Sequence, residues 1–148
     1  MLERHEKWVG PFQIRRILER CMDDASVKPP AAASAYLVTV RRWRTAPSRV
    51  STPLYVGGNT GKSARFRTRL GDLIADAFGF YTHETGHHSG GQHIHRWCAV
   101  VGINPLDLHL AWIEGTDCHR CLEGRLVKRL SPTLNRHSPS RCSVHGAM

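Results

Sequence analysis

No apolar run in the 148 residues approaches the length needed to cross a bilayer, so the sequence offers no membrane-spanning helix and no membrane partner is expected. The opening MLERHEKW mixes acids with bases and carries no apolar core, so it does not read as a secretory signal. The five cysteines (21, 98, 118, 121 and 142) are an odd number, which argues against a disulfide framework. Reduced thiols without a signal point to the cytoplasm, with a nucleoid-associated or nuclear setting as variants. No internal repeat is visible. Acids are also scarce. Twelve Asp and Glu face 21 Lys and Arg, giving a formal charge of +9.

That excess is uneven. Residues 1–30 carry six basic and five acidic side chains, whereas residues 31–148 carry 15 and seven. A field concentrated in this way attracts polyanions, and arginine suits phosphate because its planar fork grips two oxygens. A nucleic-acid partner is therefore expected, although a basic solvated surface is the plain alternative. The length fits one domain with an extension, and a hydrophobic content of 41% suffices for a core.

The periodicity predicts the elements in order. Residues 11–25 place Phe12, Ile14, Ile17, Leu18, Cys21 and Met22 on one side of a helix. SVKPPAAAS (26–34) reads as a linker, because Pro29-Pro30 cannot continue a helix. AYLVTVRRW (35–43) and LYVGG (54–58) read as strands of an antiparallel hairpin. Phe66, Leu70, Leu73, Ile74 and Ala77 then make a helical stripe, with Ser63 as its cap and Gly79 as its end. Residues 80–93 read as a Gly/His-rich loop, and 94–103 lean towards helix. Leu106, Leu108, Leu110 and Trp112 alternate with Asp107, His109 and Ala111, which is a strand with one buried face. A last helix spans 118–130, capped by Thr116-Asp117 and stopped by Ser131-Pro132.

GNTGKS (58–63) looks like the end of a phosphate-cradling P-loop. The pattern G-x-x-x-x-G-K-[ST] needs its first glycine at position 56, which is Val56. A loop one residue short cannot wrap a phosphate with its amides. No βαβ repeat accompanies it, so a nucleotide switch is a remote third reading.

A different set of residues fits more of the chain. Ser34-Ala35-Tyr36 lies on the first strand and Tyr55-Val56-Gly57 on the second. Phe66 to Leu70, with Arg69 inside, opens the following helix. Glu123, Leu126-Val127, Pro132 and Asn135 follow on the last one. In order and spacing this set resembles the GIY-YIG nuclease family over about residues 34–136. Ser34 stands where the first motif has glycine, the loop between the tyrosines is long, and about four extra residues precede the arginine. Arg65 is thus a rival of Arg69 by plain counting. The resemblance implies an α+β fold with a small antiparallel three-stranded sheet flanked by helices (β-β-α-α-β-α), here with an extra N-terminal helix. It divides the chain into an N-terminal helix and linker (1–33), a nuclease domain (34–136) and a polar tail (137–148).

The same resemblance implies a metal-dependent endonuclease that hydrolyses phosphodiester bonds, with DNA favoured over RNA. Glu123 would hold Mg²⁺ or Mn²⁺, and Arg69 would clamp the scissile phosphate. Tyr36 would act as general base, with Tyr55 orienting water or phosphate. Gly57, Lys62, Arg65, Arg67, His87, His88 and Asn135 are the candidate substrate contacts. A structural Zn²⁺ on Cys118, Cys121, Cys142 and His145 would fit C-x₂-C and C-x₂-H spacing. The alternative function is a noncatalytic nucleic-acid-binding module of the same fold, stapled by that zinc.

Overall fold

The computed structural model describes residues 6–58, 65–82, 88–114 and 118–135. The fold is α+β. Its sheet has four antiparallel strands, β1 (Trp8–Gln13), β2 (Ala35–Thr39), β3 (Pro53–Gly58) and β4 (His109–Ile113), in the order β1-β4-β2-β3. Among the described residues four helices accompany it, α1 (Ile14–Arg20), α2 (Phe66–Ala77), α3 (Ser89–Val101) and α4 (His119–Leu130).

Period two explains how the central strand is used. Tyr36 and Val38 face one side of β2, where α1, α2 and α3 pack with Leu54, Leu110 and Trp112. Ala35 and Leu37 face the other side, where Val56, Ala111 and the Leu122, Leu126 and Leu130 face of α4 cover them. Every residue of β2 is buried, as a strand covered on both faces must be. Truncating Leu37 to alanine would open a cavity at the centre and cost about 2–5 kcal/mol.

The expected three strands are corrected to four. The missing one is β1, which takes Trp8–Gln13 and pairs with β4 through Trp8↔Ile113 and Gln13↔His109. Its signal was hidden by Gly10-Pro11, which interrupts the ladder; a proline is tolerated there because β1 is an edge strand. Phe12, expected on a helix, therefore belongs to a strand, and α1 is only seven residues long. The first strand of the hairpin also ends earlier than expected, at Thr39 rather than Trp43.

The linker segment is fastened rather than free. A short 3₁₀ turn at Ala25–Val27 is capped by Asp24, and the carbonyl of Ala31 receives the first amide of α2, Phe66 N–H, at 3.0 Å. Arg67 Nε–H donates to the Pro29 carbonyl at 2.8 Å. Ser63, the expected cap of α2, lies outside the described residues, as does the Thr116-Asp117 cap of α4. Gly79 does end α2, at φ +84°. The Gly/His-rich loop is shorter than expected, because α3 begins at Ser89 and runs through the ambiguous segment to Val101. No helix among the described residues is long and apolar enough to cross a membrane.

Candidate active site

Tyr36 and Tyr55 stand on neighbouring strands of the hairpin, with ring centroids 6.1 Å apart. Close approach of the backbone makes this arrangement possible. A Cβ on Gly57 would fall inside the Tyr36 ring, and a Cβ on Gly90 would fall against the Tyr55 ring. Gly57 is therefore a packing requirement of Tyr36, which gives the tyrosine-valine-glycine wording a steric cause. Gly90 and Gly91 are poor helix formers in sequence, yet they open α3. Gly91 has the Leu73 carbonyl at 2.6 Å from where its Cβ would be, so only glycine lets α3 press onto α2 there.

Tyr36 is 1% exposed, whereas Tyr55 is only partly buried. Burial pushes the Tyr36 hydroxyl well above the ordinary phenol range, and the neighbouring Tyr55 adds to this. Arg69 acts against the shift, and Glu123 acts with it. Tyr55 is raised by the same causes, burial first and then Glu123, with Arg69 again opposing. Arg69 thus exerts its field on both tyrosines from the exposed side of α2. Arg65 stands at the start of α2, and Arg67 is tied to the Pro29 carbonyl. Of the three arginines, Arg69 is the one whose charge reaches the tyrosine pair.

Glu123 comes from α4, on the other side of the hairpin. Its Oε2 would lie 2.6 Å from a Cβ on Gly58, and the His119 ring, one helical turn earlier, would lie 3.5 Å from the same point. Both side chains lean over the end of β3 because they are four residues apart on one helix. Burial raises the Glu123 carboxyl above its ordinary value, with Arg120 opposing, and lowers His119. Among the described residues Glu123 forms no ion pair and accepts no hydrogen bond. A half-buried carboxylate left in this state is one that could take a hard divalent cation, with Glu123 as its protein ligand. His119 was not among the residues that the sequence assigned to this site. Its i, i+4 spacing from Glu123 is the signal that would have placed it here.

His88 sits where the sequence did not put it. Read as a substrate contact, it is instead 2% exposed, behind the tyrosines. Its Nε2 is 2.6 Å from the Tyr36 hydroxyl, its Nδ1 accepts from Gly91 N–H at 3.2 Å, and its own N–H donates to Asp76 Oδ2 at 2.8 Å. Gln92 Nε2 also donates to that Asp76 oxygen, at 3.3 Å. Burial, and then the charge of Arg69, lower the His88 imidazole to about 4, so the ring is neutral at pH 7. Asp76, 1% exposed, was missed in the sequence. An acid lying beside Ile74 and Ala77 on the apolar side of α2 was its signal.

Asn135, also read as a substrate contact, is occupied by the hairpin. Its Oδ1 accepts from Val56 N–H at 2.9 Å and its Nδ2 donates to the Val56 carbonyl at 2.8 Å. The side chain acts as a one-residue neighbour to the free edge of β3. Lys62 and His87 lie outside the described residues, as do Cys142 and His145 of the zinc set. Among the described residues no cluster of three or more His, Cys, Asp or Glu forms a metal-holding group. Compared with protein-family models, curated proteins and solved structures, the chain finds no match.

Proposed function

We propose that the chain is a metal-dependent endonuclease of the GIY-YIG type, hydrolysing phosphodiester bonds in DNA. The observation that carries this reading is convergence. The Tyr36 and Tyr55 rings lie 6.1 Å apart on β2 and β3, Glu123 reaches from α4 to the Gly58 end of β3, and Arg69 of α2 lies close enough to act on both tyrosines. Titratable groups gathered from four elements mark a functional-site candidate.

The roles follow from exposure. Tyr55 is the less buried of the two tyrosines, so it takes the position of general base, and Tyr36 stands behind it. This exchanges the roles expected from the sequence. A tyrosinate is rare at neutral pH, and Arg69 supplies the positive field that favours it. Arg69 also faces the place where charge develops on the phosphate oxygens. Glu123 would hold Mg²⁺ or Mn²⁺, which when bound supplies Lewis acidity at the phosphate. The basic surface of residues 31–148 draws the polyanion in.

A plasmid-nicking assay in Mg²⁺ or Mn²⁺ tests the reading. The wild type is expected to nick. Glu123→Ala and Arg69→Ala are expected to lose cleavage while binding DNA. Cleavage that persists in Glu123→Ala would sink the site assignment. DNA binding without cleavage by the wild type would favour the noncatalytic module.

A further inference from the structure

We propose that His88 is a positioning residue of this site, fixing the direction of the proton chain so that Tyr36 donates to Tyr55. This rests on the nuclease reading for its purpose, but its geometry stands independently. Gly91 N–H occupies the lone pair of His88 Nδ1. A neutral imidazole then carries its one proton on Nε2, which is 2.6 Å from the Tyr36 hydroxyl oxygen. His88 therefore donates and Tyr36 accepts. Tyr36 keeps one hydrogen of its own, which is turned away from His88, and the tyrosine beside it is Tyr55, with ring centroids 6.1 Å apart. The proposed chain runs from His88 through Tyr36 to Tyr55, the less buried of the two tyrosines. Aligned donors of this kind polarise one another and favour negative charge at the last oxygen.

The surroundings hold the imidazole in this one orientation. Its main chain is tied to Asp76, and its ring is 6.1 Å from the Tyr36 ring and 5.8 Å from the Tyr55 ring. Arg69 and Asp72 from α2 act on it electrostatically, with Asp76. In the reaction His88 and Tyr36 exchange no proton. Tyr55 first loses its proton to solvent. It then takes one from water as the water oxygen bonds to phosphorus. The bond from phosphorus to the 3′ oxygen breaks, and that oxygen leaves with the electron pair and is protonated by solvent. His88 and Tyr36 contribute only an oriented N–H and O–H, which hold the Tyr55 oxygen ready to accept.

Two measurements test this. A long-range ¹H–¹⁵N spectrum of the wild-type protein at pH 7 is expected to show His88 with its proton on Nε2; a proton on Nδ1 overturns the proposal. Cleavage is then compared in His88→Leu, which cannot donate to Tyr36, and His88→Gln, which can. His88→Leu is expected to lose about 100-fold in kcat with KM within about 3-fold, a size usual for one oriented donor. His88→Gln is expected to stay within about 10-fold of wild type. Equal losses that follow the two melting temperatures would mean a purely structural histidine and would also overturn it. If the wild type does not cleave at all, the nuclease reading fails, and the spectrum still decides the proton direction.

Discussion

Gly58 and Glu123 occupy the same few ångströms at the end of β3: a methyl group on Gly58 would stand 2.6 Å from the glutamate Oε2. The atom displaced is the tip of a mobile side chain, not backbone. Gly58→Ala is therefore expected to leave the melting temperature nearly unchanged while moving the carboxylate. Cleavage should fall by about tenfold, since sub-ångström placement matters at such sites, and extra Mg²⁺ should restore part of it. A large loss of thermal stability would contradict this division.

Glu123 itself separates function from stability. Burial raises its carboxyl, so the charged form is held at a cost in the folded chain. Glu123→Gln keeps the shape and removes the charge. It should abolish metal-dependent nicking and raise the melting temperature by a few degrees at pH 7. Sign follows from linkage: a carboxyl with a raised folded value weakens the fold as the pH rises through that value. The gain from Glu123→Gln should therefore be larger at pH 8 than at pH 4, by scanning calorimetry.

His88 gives the opposite slope. The unfolded chain takes up this proton as pH falls through 6.5, and the folded chain only near 4. Between these values the unfolded state binds more protons, so stability drops as the solution is acidified. The full contribution is present above pH 6.5, and about 3 kcal/mol is lost towards pH 4. Urea midpoints at pH 7 and pH 4.5 should differ less in His88→Gln than in wild type. Identical differences would show that His88 is not the titrating group.

Asn135 is expected to matter through β3 rather than through substrate. Both of its amide atoms are bonded to Val56, so Asn135→Ala leaves two strand-edge groups to water at a cost of about 1–2 kcal/mol. Asn135→Asp should be worse, because a carboxylate oxygen would face the Val56 carbonyl. Chemical denaturation ranks the two variants.

The arginines can be separated by kinetics. Arg69→Ala should lower kcat about 100- to 1000-fold, as loss of a phosphate-facing donor does. Arg65→Ala should affect binding alone and ease with lower salt. The reverse ranking would move the site to Arg65.

Much of this was legible before any coordinates. The stripe of Phe66, Leu70, Leu73, Ile74 and Ala77 has a period that only a helix satisfies, and these residues are buried together on α2. The alternation of Leu108, Leu110 and Trp112 likewise placed β4 and one of its faces, but the strand begins only at His109, Leu106 lies in a 3₁₀ turn, and the expected exposed face is buried too, through Ala111 and Ile113. What escaped was whatever tertiary contact alone decides. Gly10-Pro11 obscured β1 because a local rule forbids proline in a ladder and only an edge position relaxes it. Gly90-Gly91 obscured the start of α3 because helix propensity disfavours glycine, while contact with Tyr55 and Leu73 demands it. His88 was read as a substrate contact, because nothing local shows that its main chain is tied to Asp76, 12 residues earlier, in the buried interior.

The fastened segment before β2 bears on where this chain can be cut. Excising residues 34–136 as a minimal catalytic unit would remove the Ala31 carbonyl that receives the first α2 amide, and the Pro29 carbonyl that anchors Arg67. It would also strip β1 from β4 and leave Trp112 and Leu110 beside an open sheet edge. The helix carrying Arg69 thus takes its starting point from residues that match no motif at all.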